Sequence, residues 1–469
     1  MARATRPRIF AGSALKELRA RSGLGQGAMA QQLGLSVSYL SQLESDDRPL
    51  TVAVIEALIH AFPLDWQRFD SDRAATRLAA MREAISDPLF DEPPPSPEAL
   101  HRSVEQQPLL ADRFLRLHAA YRHSEEQRQI VDEAIASGVP GSGRLPWEEV
   151  RDWFHTAGNY VDPIDRGAEL LADQIEEGEA AIVAQLEGKG LKVVFATSDA
   201  ADMPLRAFDR KTGCLTIHRA LPTASRRFLL AHQLAALQLS GPIAEVTEGA
   251  ELRSPEARRL LSVGLANYAA GALLMPYTRF RDTARAMRHD IDRLCQRFGV
   301  SFEQACHRLS TLQRPGLRGI PFFFCRVDMA GNITKRHSAT RLQFARFGGA
   351  CPLWIVHEAV AIPDRILVQC AETPDGVRYV SMAKGLVKPS GSYARMPRRY
   401  AVALGCEVDH AREFIYADGL DVANRAATPI GISCRLCPRA DCDQRAFPPT
   451  VRPIAVDPDV RDVVPYRVL

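Results

Sequence analysis

Three thiols fall within nine residues near the C-terminus, Cys434, Cys437 and Cys442, in a stretch with no strong helix or strand period. A C-x2-C pair folds back so that both sulfurs reach one ion, and a third thiol five residues on closes another side of the same site. Zinc and iron–sulfur sites usually take four ligands, so one is owed from elsewhere. Cys406, after Gly405 at the end of a strand-like run, is the first choice, with Cys351 and Cys370 in reserve. An iron–sulfur cluster of the 4Fe–4S type is the leading occupant, zinc the alternative, and a trio of reduced thiols the third reading. Arg435, Arg439 and Arg445 would offset the charge of a thiolate cluster, or equally grip phosphates.

A different chemistry is available near the N-terminus. Ser36 sits where an N-cap belongs, before a helix whose Tyr39, Leu40 and Leu43 have core spacing. Val37, Ser38, Ser41 and Gln42 are then left facing outward. Gln pairs bidentately with adenine in a major groove and Ser serves either partner, so this face suits the base edges of double-stranded DNA. The short helix before it carries Met29 and Leu33 and closes at Gly34, where left-handed backbone is cheap.

The third place is His232, followed by Gln233-Leu234-Ala235-Ala236 on a helix-patterned segment. In H-E-x-x-H, two His one turn apart bind zinc and the Glu acts as general base. Here Gln233 stands at the base and Ala236 at the second ligand. One imidazole cannot hold a catalytic zinc that wants three protein ligands, and Gln cannot accept a proton. No hydrolysis is expected, and His232 reads as a hydrogen-bonded core residue.

These residues need elements to position them. Helix patterns cover 13–22, the two segments around Gly34, and Val54 to Ile59 behind a Thr51 cap. The pattern stays helical from Trp66 to Ile85, and Asp91–Pro97 is a proline linker that no helix crosses. Leu110, Phe114, Leu117 and Tyr121 then form one apolar stripe, and a second helix is expected over Glu125–Ala136; such a hairpin packs on a second copy or within its own chain. Residues 146–276 alternate helix and strand, with strands at Val193–Ala196 and Cys214–His218. After helices at Ile291–Phe298 and beyond a Ser301 cap, strand-like runs appear at Pro321–Val327, Trp354–Val356, Ile366–Cys370, Val377–Met382 and Tyr400–Leu404. Turn residues at Ala330–Asn332 and Pro374–Gly376 make the sheet antiparallel.

The 469 residues carry 46% hydrophobic and 25% charged side chains, globular values for two to four domains. The fold class is multidomain: an all-α head, an α+β middle and an α+β C-terminal domain with an antiparallel sheet. The domains read as 1–70, 71–140, 141–288 and 289–469. No apolar run reaches membrane length, so a soluble, cytoplasmic chain with no membrane partner is expected. Net charge is only +3, and residues 1–60 hold seven Lys/Arg against five Asp/Glu. That permits DNA binding without demanding it; Arg3, Arg6 and Arg8 offer a basic arm or an ordinary frayed end. All ten cysteines follow residue 213, and structural disulfides are not expected.

Gln26, Ala30, Leu33, Gly34, the SVSYLSQLE run and Arg48–Thr51 resemble the helix-turn-helix of the Cro/C1-type (XRE) repressors, which adds Gln26 and Arg48 to the DNA-contacting set. Gly25 replaces that family's usual Thr or Ser cap. The His232 helix and Leu273-Leu274-Met275-Pro276 resemble the IrrE-like zincin domain, with Leu265 near its acidic third ligand. Motifs such as Gln313–Gly316, Gly319–Phe322, Arg326–Asp328, Lys335-Arg336, Cys351-Pro352 and Gly405-Cys406 extend the likeness to the whole chain. It resembles the short-chain fatty acyl transcriptional regulators of propionate, acetate and glyoxylate metabolism. That resemblance implies an acyl-CoA effector such as propionyl-CoA or acetyl-CoA, and in some members an iron–sulfur cluster. It makes Arg326, Lys335 and Arg336 candidates for CoA phosphates, a solvated hairpin edge being the other reading. A homodimeric DNA-binding regulator is the expected function; a surviving peptidase acting on a repressor is the alternative.

Overall fold

The computed structural model describes residues 12–62, 71–87, 89–90, 95–136, 146–196, 204–342, 351–388, 393, 396–422, 427–449 and 452–469. The basic arm at Arg3, Arg6 and Arg8, residues 66–70 and most of the proline linker lie outside them. The chain divides into two compact units, 1–145 and 146–469.

In the first unit, α1 (Gly12–Arg21), α2 (Gln26–Gln32), α3 (Val37–Glu44) and α4 (Val52–Ala61) close on Leu15, Leu18, Met29, Leu40, Leu43 and Leu58. The expected caps are in place. Ser36 Oγ accepts the Tyr39 N–H at 3.2 Å and Thr51 Oγ1 accepts that of Val54 at 3.3 Å. Gly34 takes φ +67°, the left-handed turn between α2 and α3. Gly25 gives α2 no side-chain cap. Behind this head, α5 (Ser71–Ile85), α6 (Pro97–Gln106) and α7 (Pro108–Ala136) share a small core of Leu78, Met81, Ile85, Leu100, Val104 and Ala111.

One expectation fails in α7. It runs unbroken through Glu125–Ala136, because no Gly or Pro lies between residues 109 and 136 to end it. Within the unit the expected stripe is only partly packed, through Phe114, whose ring lies 6.2 Å from that of Phe90. Leu110 and Leu117 are 63% and 70% exposed, while Ala111 is buried and His118 bonds Asp87 at 2.8 Å.

The second unit begins with α8 (Pro146–Thr156), α9 (Asp162–Ala172) and α10 (Glu179–Glu187). A small sheet follows: β1 (Lys192–Ala196), β2 (Arg206–Asp209) and β3 (Cys214–His218), ordered β1-β3-β2 with β1 parallel to β3. Then come α11 (Thr223–Gln238), α12 (Ser240–Glu248), α13 (Pro255–Leu274), α14 (Tyr277–Ala286), α15 (Ile291–Phe298) and α16 (Phe302–Ser310). Ser301 and Gln304 form a capping box that starts α16. No single helix among the described residues is long and apolar enough to cross a membrane.

The larger sheet joins β4 (Phe323–Asp328), β5 (Ile333–Ser338), β6 (Ile366–Glu372), β7 (Arg378–Lys388), β8 (Arg398–Glu407) and β9 (Thr428–Pro429) in the order β5-β4-β8-β7-β6-β9. It is antiparallel as expected, except that short β9 lies parallel to β6. The Trp354–Val356 run does not form a strand: Trp354 is the N-cap of α17 (Ile355–Ala361). Val356, Ala359 and Val360 are buried at helical spacing, and a three-residue apolar window cannot distinguish the two periods. A two-stranded ribbon, β10 (Ile454–Ala455) with β11 (Arg467–Val468), ends the chain.

One buried ion cluster ties α9 and α13 to α16 and the loop that follows it. Asp165 of α9, fully buried, accepts from Arg308 of α16 at 2.6 and 3.1 Å, from Arg314 at 3.3 Å and from the Tyr268 hydroxyl at 2.5 Å. A buried carboxylate survives only when its lone pairs are met in this way.

Candidate functional site

The exposed face of α3 is set by Glu44, the last residue of that helix. It is only 2% exposed and accepts from Arg19 Nε at 2.6 Å and Gln26 Nε2 at 2.8 Å, locking α1, α2 and α3 together. With Tyr39, Leu40 and Leu43 turned inward, Val37, Ser38, Ser41 and Gln42 stand exposed, and Arg48 lies over the Tyr39 ring at 5.8 Å. Gln26 is thus drawn partly inward, with an amide hydrogen spent on Glu44.

The cysteines converge, with one substitution in the set. Cys434, Cys437 and Cys442 line a single small pocket, and the fourth thiol on its wall is Cys351. Cys406 does not line it. It lies buried on β8, opposite Val380, where burial and then Glu413 and Glu407 push its thiol up. Cys370, on β6, receives Arg378 Nη2 at 3.6 Å and is likewise absent from the pocket wall. The sequence separates Cys351 from the tail by some 80 residues; β9, laid beside β6, carries the tail back to it.

The pocket's walls suit electron-rich sulfur. The Gly431 and Leu353 N–H groups donate to the Cys351 sulfur, and the Ala446 N–H donates to Cys434 Sγ at 3.4 Å. Burial pushes the Cys351 thiol up, those two N–H groups oppose the rise, and nearby Cys434 and Cys437 add to it. A Cβ at Gly431 would meet Cys437 Sγ at 2.7 Å, so only glycine leaves the sulfur its place. Arg445 holds the loop from behind, donating to the Cys434 carbonyl at 3.1 Å and to that of Arg439; Arg439 donates to the Glu372 carbonyl at 2.7 Å. Four thiols with N–H···S donors and the buried Arg445 fit an iron–sulfur cluster or zinc. Among the described residues, however, no three His, Cys, Asp or Glu groups stand closed on one point.

The basic motif of β4 and β5 is split by the pleat. Lys335 pairs in register with Arg326, and both face α16, where Glu303 receives Arg326 Nη1 at 2.9 Å. Arg336, one residue on, pairs with Cys325, whose side chain belongs to the core on the α17 side. Lys388 of β7 and the Tyr400 hydroxyl of β8 reach the same carboxylate at 3.0 and 3.1 Å. Burial works against its charge, yet Lys388, Lys335 and Arg326 hold the Glu303 carboxyl down at about 2. Glu303, Lys388 and Tyr400 carried no sequence signal; they meet only through strand register.

His232 and Gln233 of α11 are buried, and Arg206 of β2 bridges them. Its Nη2 donates to Gln233 Oε1 at 2.5 Å and its Nη1 lies 3.1 Å from His232 Nδ1. Burial, then the Arg206 charge, pushes the His232 imidazole down to about 4. Leu265 is fully buried on α13.

Three family models match in sequence: a helix-turn-helix domain over residues 11–68, an IrrE N-terminal-like domain over 186–310, and the C-terminal domain of the short-chain fatty acyl coenzyme A regulators over 311–466. The chain is 45% identical to a propionyl-CoA carboxylase regulator of Cereibacter sphaeroides, across 98% of this chain and 99% of that one. It is 39% identical to the HTH-type transcriptional regulator RamB of Mycobacterium tuberculosis over 98% and 99% of the two chains, and 38% identical to PrpR of the same species over 98% and 96%. A solved structure of a Mycobacterium tuberculosis transcriptional regulator superposes with a TM-score of 0.66 at 41% identity, covering 69% of this chain and 99% of that one.

Proposed function

This chain belongs to the short-chain fatty acyl coenzyme A regulators, and from that premise we propose that it binds its operator as a homodimer and answers to an acyl-CoA, propionyl-CoA or acetyl-CoA. It is a DNA-binding transcriptional regulator of short-chain fatty acid metabolism. The observation that carries the DNA-reading part is the exposed Ser38-Ser41-Gln42 face, held rigid by the buried Glu44 lock. Two such heads, one per protomer, would read two half-sites. Gln26, Val37 and Arg48 complete the proposed contact set.

The proposed metal centre takes Cys434, Cys437, Cys442 and Cys351, with Cys351 in the place expected of Cys406. A 4Fe–4S cluster is the preferred occupant and zinc the alternative; when bound, it would supply either electron-transfer sensitivity or a fixed cross-link between the tail and the sheet. The effector contacts are Arg326 and Lys335. Arg336 lies on the other side of the sheet and would serve only a ligand that wraps its edge.

The middle domain is read as non-hydrolytic. Gln233 is no base, and the Arg206 guanidinium occupies the lone pair that His232 would offer a metal from Nδ1. A cation already seated on both motif residues disfavours zinc there. The DNA-binding reading is tested by selection from a random duplex library with the full chain at fixed salt. Recovery of a discrete sequence with two half-sites is expected, and recovery of no preferred sequence would overturn it.

A further inference from the structure

The cations between the sheet and α16 outnumber the anions there. Arg326 and Lys388 both pair with Glu303, and Lys335 faces the same carboxylate, so three cations share one negative charge. Arg398 stands opposite Lys388 in the β7–β8 register and adds a fourth at the rim. Of the other acids nearby, Asp292 of α15 is engaged by Lys384 at 3.4 Å, and Asp328, opposite Tyr400 in the β4–β8 register, by the Ala330 and Asn332 N–H groups. The two histidines at the back do not supply charge. His307 and His337 share a 3.0 Å contact between their Nε2 atoms, Asn159 Oδ1 lies 2.6 Å from His337 Nδ1, and burial first, then Lys335, pushes both imidazoles well below their ordinary range.

Such a surplus is costly in a half-buried place unless an anion meets it. Lys335 is half-buried, and among the described residues its amine makes neither hydrogen bond nor ion pair; it rests 6.0 Å from the centre of the Phe324 ring. Lys388 and Arg326 keep 45% and 30% of their side chains open to solvent, so the group is reachable from outside. Arg326 and Lys388 also flank the Tyr400 ring, at 5.3 and 5.1 Å. Cations around an aromatic wall, with a phenol as further donor, match the oxygens of an organic phosphate.

We propose that Arg326, Lys335, Lys388 and Tyr400 form a phosphate seat that Glu303 of α16 fills in the free protein, and that a phosphate of a CoA thioester binds by displacing this carboxylate. Glu303 is then an internal competitor for the ligand. This rests on the acyl-CoA reading above and adds the seat, its extra residues and the displacement.

The test is calorimetric titration of the full chain with propionyl-CoA and with propionyl-pantetheine, which keeps the thioester and lacks every phosphate. Lys388 is exposed at the end of a strand, so Lys388→Glu should leave the chain folded, which melting curves check. It should weaken propionyl-CoA by about tenfold to a hundredfold, the range of a charged hydrogen bond, with Lys388→Arg restoring most of the loss. Glu303→Gln should tighten propionyl-CoA several-fold, because the competitor is gone, and leave propionyl-pantetheine unchanged. If the wild-type chain binds propionyl-CoA and both variants bind it equally well, the seat is overturned and the effector reading stands. If the wild-type chain binds no propionyl-CoA, the effector reading falls and takes the displacement with it.

Discussion

Gln42 stands exposed on α3 between Ser38 and Ser41 on one side and the Arg48 turn on the other. Replacing it with Ala should weaken the cognate operator by about 1–3 kcal/mol and leave random DNA unaffected, as for a base contact. Equal losses on both, measured at one salt concentration, would assign it to the backbone. Asp165 makes the opposite kind of prediction. Asp165→Asn strands Arg308 in the interior, while Arg314 keeps Glu169 at 2.8 Å, and should cost about 3–5 kcal/mol in chemical denaturation; a loss below about 1 kcal/mol would show that the cluster does not hold α9 to α16. The two residues were unequally legible. Gln42 could be read from its neighbours, because the helical period that buries Leu40 and Leu43 exposes it. Asp165 could not, since its partners Tyr268, Arg308 and Arg314 lie between 103 and 149 residues away.

At the scale of elements, α16 connects three environments over two turns. Glu303 faces the phosphate seat, His307 meets His337 of β5, and Arg308 enters the Asp165 cluster. Release of Glu303 would therefore act on a helix anchored in both halves of the unit. The seat also carries a pH signature. Burial pushes the Lys335 amine down to about 8, with Glu303 opposing. The groups facing it are Glu303 and His307 of α16, Arg326 of β4, Lys388 of β7, Tyr400 of β8 and His337 of its own strand. Burial keeps both histidines neutral, and Glu303 stays ionised down to about 2. Above about pH 8 the lysine must take up a proton before it can hold an anion, so propionyl-CoA affinity should fall as pH rises, by at most about tenfold per unit. Lys335→Arg should flatten that profile between about pH 7 and 9. An equally steep decline in the variant would locate the titrating group elsewhere.

The tail shows where element-level reading stopped. C-x2-C and the third thiol were legible from spacing alone, but the fourth wall depends on β9 lying parallel to β6 and on Cys351 sitting just before α17. Neither relation has a local signature, and Gly405-Cys406 at a strand end looked the better partner until register buried it. After anaerobic purification, iron, sulfide and zinc analysis should show metal lost in Cys351→Ser and retained in Cys406→Ser. The reverse pattern would return the fourth position to Cys406. In the same way, α17 was misread because Trp354–Val356 spans less than one helical turn, whereas α15 was legible from a full eight-residue pattern with Asp290 and Gly299 at its ends.

For the whole molecule, the reading head belongs to one compact unit, and the cysteine pocket and phosphate seat to the other. A ligand in the second unit can alter DNA binding only by the difference in its affinity for the DNA-competent and DNA-incompetent states. By reciprocity, operator DNA must change acyl-CoA affinity by the same factor. The most direct test is operator affinity of the full chain at one fixed salt concentration, titrated with propionyl-CoA and separately with acetyl-CoA. A saturable shift of about fivefold or more is expected with at least one ester, abolished in Lys388→Glu at ligand concentrations that saturate the wild type. Operator affinity that stays constant while either ester demonstrably binds would contradict it.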